Sequence, residues 1–171
     1  ITGSDIADNR WHHLAAVFDR DGLLRLFKDG LPDGSTSMAQ VTGSINNTLS
    51  LAIGQDGTLS YGSAMNGLIS EVRIWKTLVN EATLAAWQCR PLDDSHPHYA
   101  DLVGYWRLNE GSGQQLADSG PHGLNAAYNG SASDWELVNL PDTTYDFNNT
   151  PRIVDVATTA LAHLCVPIQE S

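Results

Sequence analysis

Positive charge is scarce in this chain. Nine Lys and Arg face twenty Asp and Glu, for a formal net charge of −11. That balance argues against nucleic acid and against an anionic membrane surface, since both demand a basic face. It suits a calcium ion, which prefers carboxylate and carbonyl oxygens, and equally suits solubility alone. Cysteine is almost missing: Cys89 and Cys165 are the two present. With no C-x-x-C pair, a structural zinc site is not expected. Sequence leaves open whether the two are bonded or free. A bond would close a long loop and contribute roughly 4 kcal/mol. No apolar run approaches the roughly 20 residues of a spanning helix, so membrane insertion is not expected. No G-x-S-x-G elbow occurs, and Gly111-Ser112-Gly113 lacks the third glycine of a dinucleotide loop and follows an acid, Glu110. The chain starts at Ile1, and we read it as a piece of something longer, so the lack of a leader says nothing about destination.

What is present is short apolar runs broken by turn formers. Hydrophobic residues make up 42% of the 171, enough for a packed interior. Trp11–Phe18 and Leu23–Lys28, separated by Asp21-Gly22, read as a hairpin. Asp29-Gly30 turns next, with a positive φ expected at Gly30. A polar loop is expected from Pro32 to about Asn47. Leu49, Leu51 and Ile53 alternate as a third strand. Leu68–Trp75 reads as a fourth, with Val72 and Ile74 on one face and Ile69, Glu71, Arg73 and Trp75 on the other. Asn80 caps a short helix ending near Arg90, with Glu81 in its first turn and Val79 and Leu84 as a staple. Residues 93–99 read as an exposed linker that includes His96 and His98. Leu102–Leu108 is a strand, Leu124–Tyr128 a short one, and 143–156 holds one or two around Pro151. Residues 157–166 are ambiguous between helix and strand. Many short strands with one minor helix indicate an all-β sandwich.

Trp11-His12-His13-Leu14-Ala15, then Leu26-Phe27-Lys28-Asp29-Gly30, Ile53-Gly54 and Asn66-Gly67-Leu68-Ile69-Ser70-Glu71-Val72-Arg73-Ile74-Trp75, occur in an order that resembles the laminin-G-like signature, with Met65 where that signature usually has Phe. Gly104-Tyr105-Trp106-Arg107-Leu108-Asn109-Glu110-Gly111, followed by Asp118-Ser119-Gly120, resembles a second element common in such proteins. The resemblance implies a concanavalin A-like, pentraxin-like jelly-roll β-sandwich of two antiparallel sheets with one short helix. A full module of this kind has several strands before the Trp11 motif, and about ten residues precede it here. Two arrangements stay open: an N-terminally trimmed module, or a slice through a tandem array. The first is favoured, because half a sandwich would expose an unpaired edge and an apolar face. It puts the module at residues 1–135, with 136–171 as an extension that completes the sandwich or begins a following repeat.

The fold alone does not choose a function, since lectins and glycoside hydrolases share it. Hydrolysis needs two carboxylates spaced across the scissile bond. Hydrolases of this fold carry E-x-D-x-E on one strand, and no such triplet occurs, so no catalysis is expected. His12 and His13 are adjacent and point to opposite faces, a structural arrangement. The resemblance implies an extracellular or cell-surface, lectin-like module for glycans or extracellular proteins. A homo-oligomer or tandem-repeat assembly is compatible with it. The alternatives are a structural repeat without a small ligand, or a non-catalytic part of a glycan-processing enzyme. Sugar binding needs an aromatic face with polar groups beside it. The resemblance implies that Trp11, Trp75, Trp87 and Trp106 sit at positions that pack in the core or against the helix. Tyr61, Tyr99, Tyr128 and Trp135 are therefore the candidate exposed platforms. Calcium is the candidate cofactor, with Asp56, Asn66, Asn109 and Asp118 as candidate ligands; each is equally a turn former bonding its own backbone. N-x-S/T tripeptides at Asn46, Asn129 and Asn148 are glycan acceptors in a eukaryotic secretory setting.

Overall fold

The computed structural model describes residues 1–46, 48–54, 58, 60, 66–88, 90–130, 134–136 and 150–154, with the backbone alone at Asn66 and 150–154. Cys89 and Cys165, Tyr61, Asp56 and the ambiguous stretch 157–166 lie outside the described residues.

The first hairpin forms as its sequence dictates. Strands β1 (Leu14–Phe18) and β2 (Leu23–Lys28) pair antiparallel, with Ala15 opposite Phe27 and Val17 opposite Arg25. Ala15, Val17 and Phe27 are buried on one face. Asp29 and Gly30 turn the chain at φ 53 and 76, so the positive φ expected at Gly30 is present. A Cβ there would also press on Ala85 Cα at 3.2 Å and Gln88 Oε1 at 2.9 Å. The first part of the expected polar loop is instead a strand, β3 (Leu31–Ser37), paired to β2, while residues 38–46 carry no strand, as expected. Strand β3 is an edge strand and largely exposed, so backbone pairing holds it and no apolar alternation marks it. Residues Leu49–Ile53, expected as a strand, carry no strand pairing, and Leu49 and Leu51 are exposed.

The run Leu68–Trp75 is broken. Strands β4 (Asn66–Leu68) and β5 (Val72–Trp75) flank Glu71, whose φ is 56. This left-handed residue shifts the alternation by one position. Ile69 therefore joins Val72 and Ile74 in one cluster, not the opposite face assigned from period two. Helix α1 (Glu81–Trp87) starts as expected: Thr83 N–H donates to the Asn80 side chain at 2.9 Å. It ends before Arg90, and its buried residues are Leu84 and Trp87. A single 3₁₀ turn at Tyr99–Asp101 leads into β6 (Leu102–Trp106), antiparallel to β5. Gly104 lies under the Trp106 indole, where a Cβ would stand 2.3 Å from a ring carbon. Strands β7 (Gln115–Leu116) and β8 (Ala126–Ala127) pair with each other. Strands β9 (Trp135–Glu136) and β10 (Thr150–Val154) pair too, and β10 also pairs with β4.

Every strand pair among the described residues is antiparallel, and one α-helix accompanies them. The strands fall into four short sheets: β1-β2-β3, β4-β10-β9, β5-β6 and β7-β8. Among the described residues, three apolar clusters form the interior. One joins Ile69 and Val72 to Trp106, Leu108, Leu116 and Tyr128. A second packs Val79 and Leu84 on Ala15, Val17 and Phe27. The third gathers Trp87, Leu92, Leu102 and Tyr105. Trp75 packs against the second and third together.

Candidate functional site

The densest buried chemistry lies where β5 faces β6. Residue 71 is an acid in a strained left-handed conformation, and it is 1% exposed. A carboxylate buried there needs hydrogen-bond partners for both its oxygens. Arg73, two residues on, shares its side and donates to Glu71 Oε2 at 3.0 Å. On β6 the Tyr105 hydroxyl donates to the same oxygen, and just past that strand Arg107 Nε donates to Oε1 at 3.1 Å. Arg73 also donates to the carbonyls of Trp87, at 3.0 Å, and Arg90. Backbone closes the knot: Glu71 N–H and the Ser70 hydroxyl both donate to Arg107 O, at 3.2 and 2.9 Å. Burial, then the Glu71 carboxylate, pushes the Tyr105 phenol well above its usual range. It stays a donor at any ordinary pH. Both carboxylate oxygens of Glu71 are committed, which makes this grouping a tie between strands.

Beside the knot lies an aromatic stack. His96, expected in an exposed linker, is buried at 4% exposure. Its ring stacks on Trp75 at 5.4 Å and meets Trp87 edge-on at 4.8 Å. His98 N–H donates to His96 Nδ1 at 3.0 Å, a bond that needs this nitrogen unprotonated. Burial, His98 and Arg73 hold the His96 pKa down to about 4 against a weaker pull from Asp93. His13 behaves alike: burial and Arg73 lower it to about 4. The indoles flanking His96 cover the ring and exclude water, which is why a linker histidine ends up inside.

Of the described candidate platforms, Tyr128 and Trp135 meet each other, and Tyr99 lies against a different cluster. Tyr128 is buried, a correction to its expected exposure. Its hydroxyl donates to Asp134 at 2.9 Å, and its ring meets Trp135 edge-on at 5.5 Å. Burial and that carboxylate raise its pKa to about 12. Trp135 is half-buried and packs on the first cluster, while Tyr99 is half-buried against the third. Of the candidate calcium ligands, Asp118 is placed in most detail. Its Oδ1 accepts from Tyr105 N–H at 2.9 Å and Gly120 N–H at 2.8 Å, and Oδ2 from Leu124 N–H at 2.7 Å. Asn109 is half-buried in the loop after β6, and Asn66 is placed by its backbone in β4. Among the described residues, no group of three or more His, Cys, Asp or Glu is placed to hold a metal ion. No helix among them is long and apolar enough to cross a membrane.

A recess that sequence did not signal opens between β2, β3 and the first turn of α1. Leu26, Phe27 and Pro32 give it apolar walls, and Arg25, Ser35 and Glu81 add polar groups. It depends on β3, whose polar sequence hid it.

Antiparallel strands with one short helix among the described residues define a β-structured class of fold. The family comparison is more particular. A laminin-G-type profile described as the concanavalin A-like lectin/glucanases superfamily matches residues 1–87, half of the chain, and the chain belongs to that superfamily. A second profile, a domain of unknown function (DUF4983), matches residues 92–171. No curated protein and no solved structure matches significantly.

Proposed function

We propose that the chain is a non-catalytic recognition module of jelly-roll type, acting outside the cell or on its surface on glycans. The observation that carries this reading is the superfamily match across residues 1–87. Glu71 supports the non-catalytic part: both its oxygens are held by Arg73, Tyr105 and Arg107, leaving none to protonate a glycosidic oxygen. The recess beside β2 and β3 is the proposed sugar seat. Its Leu26 and Pro32 surfaces suit the C–H face of a ring, and Arg25, Ser35 and Glu81 suit hydroxyls. Tyr99 and Trp135, both half-buried, remain proposed secondary contacts. Calcium is the proposed cofactor; because Asp118 spends its oxygens on backbone N–H groups, the ion would draw on other oxygens.

A glycan array read with and without EDTA tests this, alongside Arg25→Ala. Binding that falls at least about tenfold in Arg25→Ala supports the recess, since a charged hydrogen bond is worth about 1.5–3 kcal/mol. Binding lost on chelation supports calcium. Binding to no glycan favours the second reading, a structural or adhesive repeat without a small ligand. The inward placement of Tyr128 is the observation on that side.

A further inference from the structure

We infer that residues 92–171 are a strand-donating partner of residues 1–87, the two stretches sharing one interior with β5 against β6 as their interface. Two family profiles divide the chain between Trp87 and Leu92. The hydrogen-bonded ladder does not respect that division. Val72 pairs with Trp106, Arg73 with Tyr105, Ile74 with Gly104 and Trp75 with Leu102. Further along, Asn66, Gly67 and Leu68 pair with Val154, Ile153 and Arg152.

The interior is divided in the same way. Ile69 and Val72, from the first stretch, are each 1% exposed, and the other buried side chains of their cluster are Trp106, Leu108, Leu116 and Tyr128 from the second. Trp87 likewise packs with Leu92, Leu102 and Tyr105. Without residues 92–171, the apolar side of β5 faces water. Without residues 1–87, the same is true of β6. The cluster of Ala15, Val17, Phe27, Val79 and Leu84 closes within the first stretch, but the apolar faces of β5 and β6 each need the other, so neither stretch completes its own interior.

The Glu71 knot supplies specificity. A buried carboxylate flanked by its own Arg73 accepts a partner strand that brings a hydroxyl and a guanidinium two residues apart, as Tyr105 and Arg107 do. A strand with apolar residues there would leave Glu71 Oε1 buried without its Arg107 donor and Oε2 without the Tyr105 hydroxyl, which disfavours that strand. Gly104 adds a shape requirement, because it makes room for the Trp106 ring on the same strand. The fit is therefore to an antiparallel strand of pattern Gly-Tyr-Trp-Arg. The inference stands apart from the ligand: it holds whether or not a glycan binds.

The test uses the full chain with a specific protease site placed in the exposed turn at Asp93–Ser95. After cleavage, the two pieces should co-elute at the mass of the uncut chain and melt in one transition. Pieces that separate as unfolded chains also support mutual dependence. Either piece keeping its fold alone, or two separate melting transitions, overturns the inference. In the uncut chain, Glu71→Gln should lower the melting temperature by about 5 °C or more, with amide protection lost together in β1 and β6. Loss confined to one stretch overturns it as well.

Discussion

Two buried imidazoles make the folded state sensitive to acid. His13 and His96 are held near pKa 4 when folded, against 6.5 when exposed. The folded pKa is the lower one, so their contribution is complete above pH 6.5 and is lost as pH falls toward 4. For His13 a shift of this size corresponds to at most about 3 kcal/mol, and to less for His96, which lies nearer the surface. Melting temperature should therefore fall between pH 6.5 and 4, and fall less in His96→Gln. A profile that is flat there, or identical in the variant, would remove the argument. Glu71 belongs to the same scale. Glu71→Gln leaves Arg73 buried without its counter-charge and should cost about 3 kcal/mol in denaturant unfolding. The acids and bases of this knot were visible in the sequence as Glu-x-Arg and Tyr-x-Arg. Their meeting was not, because it needs the register of β5 on β6 and the left-handed turn at Glu71. His96 was misplaced for a related reason: Pro97 and the acids around it signal an exposed linker, and the covering indoles come from distant positions.

Elements with their own local signal were legible. The Asp21-Gly22 hairpin, the Asn80 cap and the β6 strand all stand close to where alternation and turn chemistry put them. Strand β3 was hidden because an edge strand held by one neighbour needs no apolar face. Leu49–Ile53 shows the converse: apolar alternation there is not accompanied by strand conformation. Two substitutions probe how the elements are joined. Trp75→Ala removes a ring that packs against two clusters and His96, and should cost about 3–4 kcal/mol. An unchanged unfolding midpoint would show the ring to be dispensable. Gly30→Val puts a branched side chain at φ 76 against Ala85 and Gln88, and should cost at least about 2 kcal/mol. Gly30→Asn, which tolerates that backbone better, should cost less in the same melt.

For the molecule as a whole, the sequence motifs led to the superfamily that the profile match bears out over residues 1–87. The division of strands among four short sheets was not readable, since it depends on which distant ladders close. The acidic surface carries a prediction of its own. A net charge of −11 should repel polyanions, so binding to heparin-like sulfated glycans should be far weaker than to neutral ones in the same array. The stack of His96 between Trp75 and Trp87 has one further result. A protonated imidazole accepts an electron from an excited indole, whereas the neutral ring does not. The native protein should thus dim in ultraviolet emission as it is acidified, before it unfolds, and brighten again when base is added. The chain carries its own optical gauge of the proton at this one nitrogen pair, with no label attached.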